Sequence, residues 1–216
     1  MTSSKECLAI LKRIPTDLWR RFVTVDETWI HHYTPETKEQ SKQWISPGES
    51  APKKAKTIPS AGKIMATVFW DSQGVIHIDY LQKGRTITGQ YYSDLLTRFD
   101  AVLKEKRPRL QRKKVLFHHD NAPSHSSRVA TEKFIGLGYA LVPHTPYSPD
   151  LAPSAFFLFP NLKKSLAGKR FGSNEKIIDV TEAYFADLDK SYFSDGLKRL
   201  EHRLQKCIEI IFKNKN

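Results

Sequence analysis

Residues 115–125 read VLFHHDNAPSH. They begin with a short apolar segment and continue into a polar segment that contains an acid. Residues 115–117 predict a buried strand, and Asp120 follows it in a polar turn. Another strand, rich in Val, Thr, Trp and Ile, is predicted over residues 21–33 and contains Asp26. If these two strands are neighbours in one sheet, the carboxylates of Asp26 and Asp120 can reach a common point. The two segments therefore predict a site that holds both acids.

The remaining elements place this pair in an α/β fold. The predicted strands cover residues 21–33, 64–71, 75–81, 114–118 and 140–142, and the predicted helices cover 91–106, 126–137, 155–166, 174–190 and 195–212. The turn Ser72-Gln73-Gly74 joins the second and third strands into a hairpin. A meander followed by alternating strands and helices predicts a mixed central sheet with helices on both faces.

The chain divides into a short lead-in and one domain. Residues 1–20 predict a helical lead-in whose apolar face ends at Pro15, and residues 21–216 predict a single domain. Residues 34–63 interrupt this domain with a loop rich in proline and glycine. A loop of about 30 residues inside a compact domain indicates a functional excursion or a wrong assignment. Its basic residues are Lys53, Lys54 and Lys56.

The composition favours a polyanionic partner. The formal net charge is +12 and the isoelectric point is near 9.6. Residues 104–114 contribute half of that charge, although a solvated helix end would have the same composition. Cys7 and Cys207 lack zinc-ligand spacing and fit a reducing compartment. A signal peptide and a membrane span of roughly 20 apolar residues are not predicted.

Three blocks of the chain resemble the catalytic domain of mariner-type transposases. They read VTVDETW at residues 23–29, HDNAPSH at 119–125 and YSPDLAPSAFF at 147–157. In that family an aspartate in each block binds catalytic metal, and thirty-four residues separate the second aspartate from the third. The matching positions in this chain are Asp26, Asp120 and Ala155.

The resemblance implies a ribonuclease-H-like fold and a DNA transposase core. Such a core cleaves transposon ends and joins them to target DNA, usually at a TA step, with two Mg²⁺ ions for which Mn²⁺ can substitute. The family also implies a nuclear location and a homodimer formed through the loop at residues 34–63, with Lys53, Lys54 and Lys56 on DNA. Full-length members carry N-terminal helix-turn-helix modules, so the chain is interpreted as a catalytic-domain fragment.

Alanine at position 155 is the departure from the family pattern. Alanine favours a helix, but it offers no oxygen to a metal. We expect one ion to bind Asp26 and Asp120, the second ion to bind poorly, and catalysis to be impaired. Asp150 lies five positions before the expected third acid and is interpreted as a turn or helix-cap residue.

Polar residues beside Asp120 are candidates for contact with the scissile phosphate. The family position assigns this role to His119, Asn121 and His125, with simple polar packing as the alternative. A zinc site at His118 and His119 is not favoured, because adjacent side chains on a strand point to opposite faces.

Three other interpretations remain open at this stage. The chain is a non-catalytic DNA-binding remnant, a ribonuclease-like hydrolase of the same fold, or a basic α/β protein that binds acidic proteins. Restored activity in Ala155→Asp favours the transposase core over the remnant. Cleavage of an RNA–DNA hybrid indicates the hydrolase, and steeply salt-dependent DNA binding argues against the last interpretation.

Overall fold

The computed structural model describes residues 6–9, 15–37, 39–42 and 58–213. The basic loop at 34–63 therefore lies only partly within the described residues. Lys53, Lys54 and Lys56, to which DNA binding was assigned, lie outside them, as does the middle of the loop that was expected to form the dimer. Among the described residues, none of the helices has the length and apolar character needed to cross a membrane.

The centre of the molecule is a five-stranded mixed sheet. Its strands are β1 (Phe22–His31), β2 (Lys63–Asp71), β3 (Gly74–Leu81), β4 (Leu116–His118) and β5 (Ala140–Leu141). Their order across the sheet is β3-β2-β1-β4-β5. The first three strands form the predicted antiparallel meander, and β4 and β5 are parallel to β1. This mixed order confirms the predicted ribonuclease-H-like arrangement.

Helices cover both faces of this sheet. They are α1 (Pro15–Arg21), α2 (Gly89–Lys106), α3 (Arg128–Leu137), α4 (Phe159–Leu166), α5 (Asn174–Ala186) and α6 (Lys190–Lys213). Alternate residues of a strand point to opposite faces, and β1 shows the result. Phe22 and Ile30 pack in a core with α4, α5 and α6, whereas Val23 and Val25 pack in a second core with α2 and α3. The predicted two-sided sheet is thereby confirmed.

Several helix boundaries differ from the sequence prediction. Residues 6–9 of the predicted lead-in are helical, and Pro15 begins α1, since proline suits the first turn, where its missing N–H is not needed. The helix predicted from residue 155 begins with a π-helical turn, Ser154–Leu158, before α4. The last helix includes residues 190–194 because Asp189 Oδ1 accepts the N–H groups of Ser191 and Tyr192 at 2.7 and 3.1 Å and caps it.

Candidate active site

Two neighbouring parallel strands bring the predicted acids together. Thr24 of β1 pairs with His118 of β4, and Asp26 and Asp120 each lie two residues further along the chain. The parallel register therefore carries both carboxylates to the same end of the sheet. The strand pairing on which the prediction depended is confirmed.

The two acids open into a cleft of about 560 Å³ that also contains residue 155. Ala155 also lines this cleft, from the π-helical turn that precedes α4. The cleft is lined by Asp26, Glu27, Thr28, Asp120, His144, Pro149, Ala152, Ala155, Phe159, Pro160 and Lys163. The structure thus brings together all three positions that the family pattern assigned to metal binding.

A buried hydrogen bond sets the position of residue 155. Trp70 in β2 donates its indole N–H to Ser154 Oγ at 2.9 Å, and both side chains are fully buried. A buried tryptophan N–H needs an acceptor, so this contact holds the π-helical turn against the sheet. Turns of this type are frequent at functional sites. This pair was not predicted from the sequence. The available signal was a tryptophan, which carries a polar N–H, near the end of a largely apolar strand.

Asp120 is held by two donors that share one of its oxygens. His125 Nδ1 lies 2.7 Å from Oδ1, and the backbone N–H of Ala122 donates to the same atom at 3.0 Å. The hydrogen bond from His125 is the main reason that the pKa of Asp120 falls to about 2, although partial burial opposes the change. Asp120 is therefore ionised throughout the neutral range.

His125 lies behind the cleft and joins Asp120 to Glu27. Only 3% of His125 is exposed, and its Nε2 lies 3.3 Å from Glu27 Oε1. Its ring packs on Tyr92, at a centroid distance of 4.1 Å, and on His119, at 5.1 Å. Burial opposes a charge on His125, but the two carboxylates outweigh this effect and raise its pKa to about 9.

Asp26 has the opposite electrostatic environment. Burial raises its pKa to about 7, and the negative charges of Glu27 and Asp120 add to this effect. The N–H of Glu27 donates to Asp26 Oδ1 at 2.8 Å and offsets only part of the increase. Near neutral pH, Asp26 by itself is only partly ionised, and a cation between the two acids would stabilise its charged form.

This architecture is shared with solved transposase structures. The catalytic domain of Mos1 transposase, solved with raltegravir and Mn, is 31% identical, with a TM-score of 0.77; the alignment covers 96% of this chain and 91% of that one. The chain belongs to the mariner transposase catalytic domains. A Mos1 mariner paired-end complex with Mn is 35% identical, with a TM-score of 0.86, over 96% of this chain and 60% of that chain.

Sequence comparisons agree with this mariner assignment. The Mariner Mos1 transposase of Drosophila mauritiana is 36% identical over 190 residues, which is 87% of this chain and 54% of that protein. The histone-lysine N-methyltransferase SETMAR of Homo sapiens is 32% identical over 88% of this chain and 27% of its own length. A family model described as "Transposase (partial DDE domain)" matches residues 34–113. The chain thus spans about half of Mos1 transposase and about a quarter of SETMAR.

The other predicted polar residues of this mariner domain surround the acids without lining the cleft. His119 is half-buried, and its Nδ1 lies 3.1 Å from the hydroxyl oxygen of Tyr92. Asn121 is exposed and donates to the backbone oxygen of His144 at 3.0 Å. Asp150 is exposed in a short 3₁₀ turn, and its carboxylate does not line the cleft. Asn121 thus joins the loop after β4 to the segment after β5.

His118 and His144 form a second layer below Asp120. His118 is buried between Thr24 Oγ1, 3.1 Å from its Nδ1, and His144 Nδ1, 3.2 Å from its Nε2. Burial lowers the pKa of both rings, that of His118 to about 3, so both are neutral hydrogen-bonding groups at physiological pH. His144 follows β5 and lines the cleft, and it was not among the predicted site residues.

The donor set of the cleft fits a hard divalent cation. Asp26 and Asp120 offer carboxylate oxygens, which Mg²⁺ prefers, and Mg²⁺ is often held by one or two carboxylates together with substrate phosphate and water. Within the described part of the chain, no group of three or more His, Cys, Asp or Glu side chains is arranged to hold a metal ion. Asp26 and Asp120 are the acids that the neighbouring parallel strands bring to this cleft.

Proposed function

We propose that this chain is a DNA transposase core built for metal-dependent cleavage of transposon ends and strand transfer to TA-containing target DNA. Asp26 and Asp120 are its metal ligands, and Ala155 occupies the position of the third metal-binding aspartate, so that catalysis is impaired. One observation carries the proposal: Asp26 and Asp120 line one cleft from neighbouring parallel strands, and Ala155 lines the same cleft.

The chain's own groups support binding of Mg²⁺, or of Mn²⁺ in its place. Asp120 is already ionised, and Asp26 needs a cation nearby to be fully ionised at neutral pH. Bound divalent ions would supply stabilisation of the attacking and leaving oxygens at phosphorus. Ala155 contributes no ligand, so we expect one ion to be held by Asp26 and Asp120 and a second ion to lack its protein ligand.

DNA is the proposed partner because the cleft and the chain carry suitable charge. Lys163 is exposed at the rim of the cleft, within reach of a phosphate that approaches the acids. The relatives described above include Mos1 complexes with transposon ends. His119 and Asn121 lie beside the acids, where contact with the DNA backbone is proposed, and Lys53, Lys54 and Lys56 remain proposed DNA contacts. A homodimer through residues 34–63 and a nuclear location also remain proposals.

The alternative function is a non-catalytic DNA-binding remnant. The net charge of +12 and the alanine at position 155 favour it, because binding through Lys and Arg needs no metal ligand. The two proposals differ in what the Ala155→Asp variant does. Restoring the carboxylate restores metal-dependent cleavage only if Asp26 and Asp120 still form a working site.

The test combines ion counting with a cleavage assay. Crystals of the unaltered chain and of Ala155→Asp are soaked in Mn²⁺, and anomalous peaks are counted near Asp26 and Asp120. We expect one ion in the unaltered chain and a second ion in the variant, together with nicking of a transposon-end duplex by the variant alone. Binding of duplex DNA without an ion in either protein would favour the remnant.

A further inference from the structure

A buried histidine lies between two carboxylates of the site and does not line the cleft itself. His125 follows the loop that carries Asp120 and lies on the side of the sheet covered by α2 and α3. Its Nδ1 is 2.7 Å from Asp120 Oδ1, and its Nε2 is 3.3 Å from Glu27 Oε1. Since an ionised carboxylate can only accept, Nδ1 donates to Asp120.

The contacts of Asp120 are concentrated on one oxygen. Among the residues that the structure describes, His125 Nδ1 and the N–H of Ala122 both approach Oδ1, and neither occupies Oδ2, which stays available for a ligand. A carboxylate whose orientation is set in this way loses less conformational freedom when it binds a cation. Hydrogen bonds from outside the coordination sphere are a general means of orienting metal ligands.

The ring of His125 has little freedom to move. Tyr92 packs on it at a centroid distance of 4.1 Å, and His119 stacks on it at 5.1 Å with the two ring planes nearly parallel, at 12°. The Tyr92 hydroxyl in turn lies 3.1 Å from His119 Nδ1. Three rings from α2 and from the loop after β4 therefore form one packed unit behind the acids. With only 3% of its surface exposed, His125 is poorly placed to touch DNA.

We propose that His125 is a positioning residue, which orients the Asp120 carboxylate for the divalent cation by binding Oδ1 and which is itself anchored on Glu27. The sequence analysis assigned His125 to DNA contact, and this proposal gives it a different role. It rests on the proposed function, because Asp120 must be a metal ligand for the orientation to matter. The competing explanation is that the ring only fills space between Tyr92 and Glu27.

Two conservative variants separate these explanations. His125→Asn keeps an amide nitrogen at the depth of Nδ1, so it can still donate to Asp120, but it loses the contact with Glu27. His125→Gln places its amide nitrogen at the depth of Nε2 and keeps only the contact with Glu27. Both remove the aromatic ring, so they lose similar packing against Tyr92. His125→Ala removes both polar contacts and the ring.

The measurement is Mn²⁺ affinity at constant pH, followed by the EPR signal of free Mn²⁺ with the full chain. We expect His125→Ala and His125→Gln to weaken binding by about 10- to 100-fold, the range typical for loss of a partner that orients a metal ligand. We expect the affinity of His125→Asn to be close to that of the unaltered chain. If all three variants bind like the unaltered chain, or if His125→Asn binds as weakly as His125→Ala, the proposal is overturned.

A metal-free readout distinguishes failure of this proposal from failure of the proposed function. If the unaltered chain binds no Mn²⁺, the metal site proposed above fails, and crystal structures of the metal-free variants then decide the positioning role. We expect the Asp120 carboxylate to turn away from its present orientation in His125→Ala and to keep it in His125→Asn. An unchanged Asp120 in folded His125→Ala would mean that Ala122 alone holds it, and the role of His125 would be discarded.

Discussion

Two aspartates on adjacent strands, one buried and one half-buried, have opposite environments. Asp71 ends β2 and is only 1% exposed. Arg107 binds both of its oxygens, with Nε 2.7 Å from Oδ2 and Nη2 3.0 Å from Oδ1. Asp26 lies in the middle of β1, and its charged neighbours include Glu27 and Asp120, which are also acidic.

The difference shows how the chain separates a structural acid from the acid proposed as a metal ligand. A buried charge must be paired or it loses its charge. The chain provides a permanent cation for Asp71, so that carboxylate ties β2 to the end of α2. At Asp26 the same need is left open, and burial shifts its pKa towards neutrality. A site that needs an added cation is what a metal-dependent enzyme requires.

Removing the cation of the structural pair has the largest expected effect. Arg107→Met leaves Asp71 buried and uncompensated, which should lower the free energy of unfolding by about 3–5 kcal/mol. Urea unfolding at neutral pH measures it. Arg112→Met is the matched control, because that side chain is exposed and its loss should change stability by less than about 0.5 kcal/mol. Equal effects in the two variants would show that Asp71 does not depend on Arg107.

Removing the charge of Asp26 should instead raise the free energy of unfolding of the metal-free chain. The pKa of Asp26 is raised, so the folded state keeps a proton that the unfolded state has lost, and stability falls as pH rises from about 4 to about 7. The amide of Asp26→Asn does not titrate, so the metal-free variant does not lose stability in this way. It should be more stable than the unaltered chain by roughly 2–4 kcal/mol at pH 7.5. Urea unfolding between pH 4 and 7.5 measures the difference.

The control for this pH dependence is Asp150→Asn, which removes an exposed carboxylate and should leave the profile unchanged. The contribution of His125 to stability changes at higher pH than that of Asp26. Its pKa is raised to about 9, so its contribution is complete below about pH 6.5 and is lost as pH rises towards 9. A profile that stays flat from pH 4 to 7 in the unaltered, metal-free chain would contradict the assignment to Asp26.

Breaking the hydrogen bond that anchors the π-helical turn should have an intermediate effect on stability. Ser154→Ala leaves the buried N–H of Trp70 without its acceptor, which should cost about 1–3 kcal/mol of stability. Thermal unfolding measures the loss, and Ser126→Ala, at an exposed serine, is the control. A Ser154→Ala protein as stable as the control would mean that Trp70 does not hold residue 155 in place.

Restoring the third carboxylate should have the smallest effect on stability. Without metal, Ala155→Asp adds a negative charge near Asp26 and Asp120, and we expect a loss of about 1 kcal/mol. With Mn²⁺ the order of melting temperatures should reverse, because the added ligand strengthens binding to the folded state. Ala155→Asn is the uncharged control of similar size. A metal-free melting temperature above that of the unaltered chain would argue against clustered carboxylates.

Local patterns account for the parts of the fold that were predicted correctly. All five strands were located because apolar and β-branched residues recur at the strand period, as in β2 and β3. The hairpin followed from Gly74, and α2 followed from apolar residues at the helical period. The last helices were misplaced at residues 187–194, where the capping acid Asp189 gives only a weak signal in the sequence.

The two acids that the structure brings together were named from the sequence, whereas the contacts that support them were not. Asp26 and Asp120 carry a motif that can be recognised along the chain, whereas the contacts of His125 join positions far apart in sequence. His125 lies 98 residues after Glu27 in the chain, and its other neighbour, Tyr92, belongs to α2. A histidine in a polar loop reads as exposed, so its burial could not be predicted without the packing of α2 and α3.

The sequence by itself determined the strand and helix pattern, the net positive charge, the mariner resemblance and the two acids that the site needs. Only the tertiary structure decided that His125 is buried between Asp120 and Glu27, that Trp70 holds the turn at residue 155, and that Asp71 is paired with Arg107 whereas Asp26 lies beside two other acids. The physical reason is that propensity and periodicity act between near neighbours in the chain. Desolvation and charge pairing depend on which distant residues are packed together.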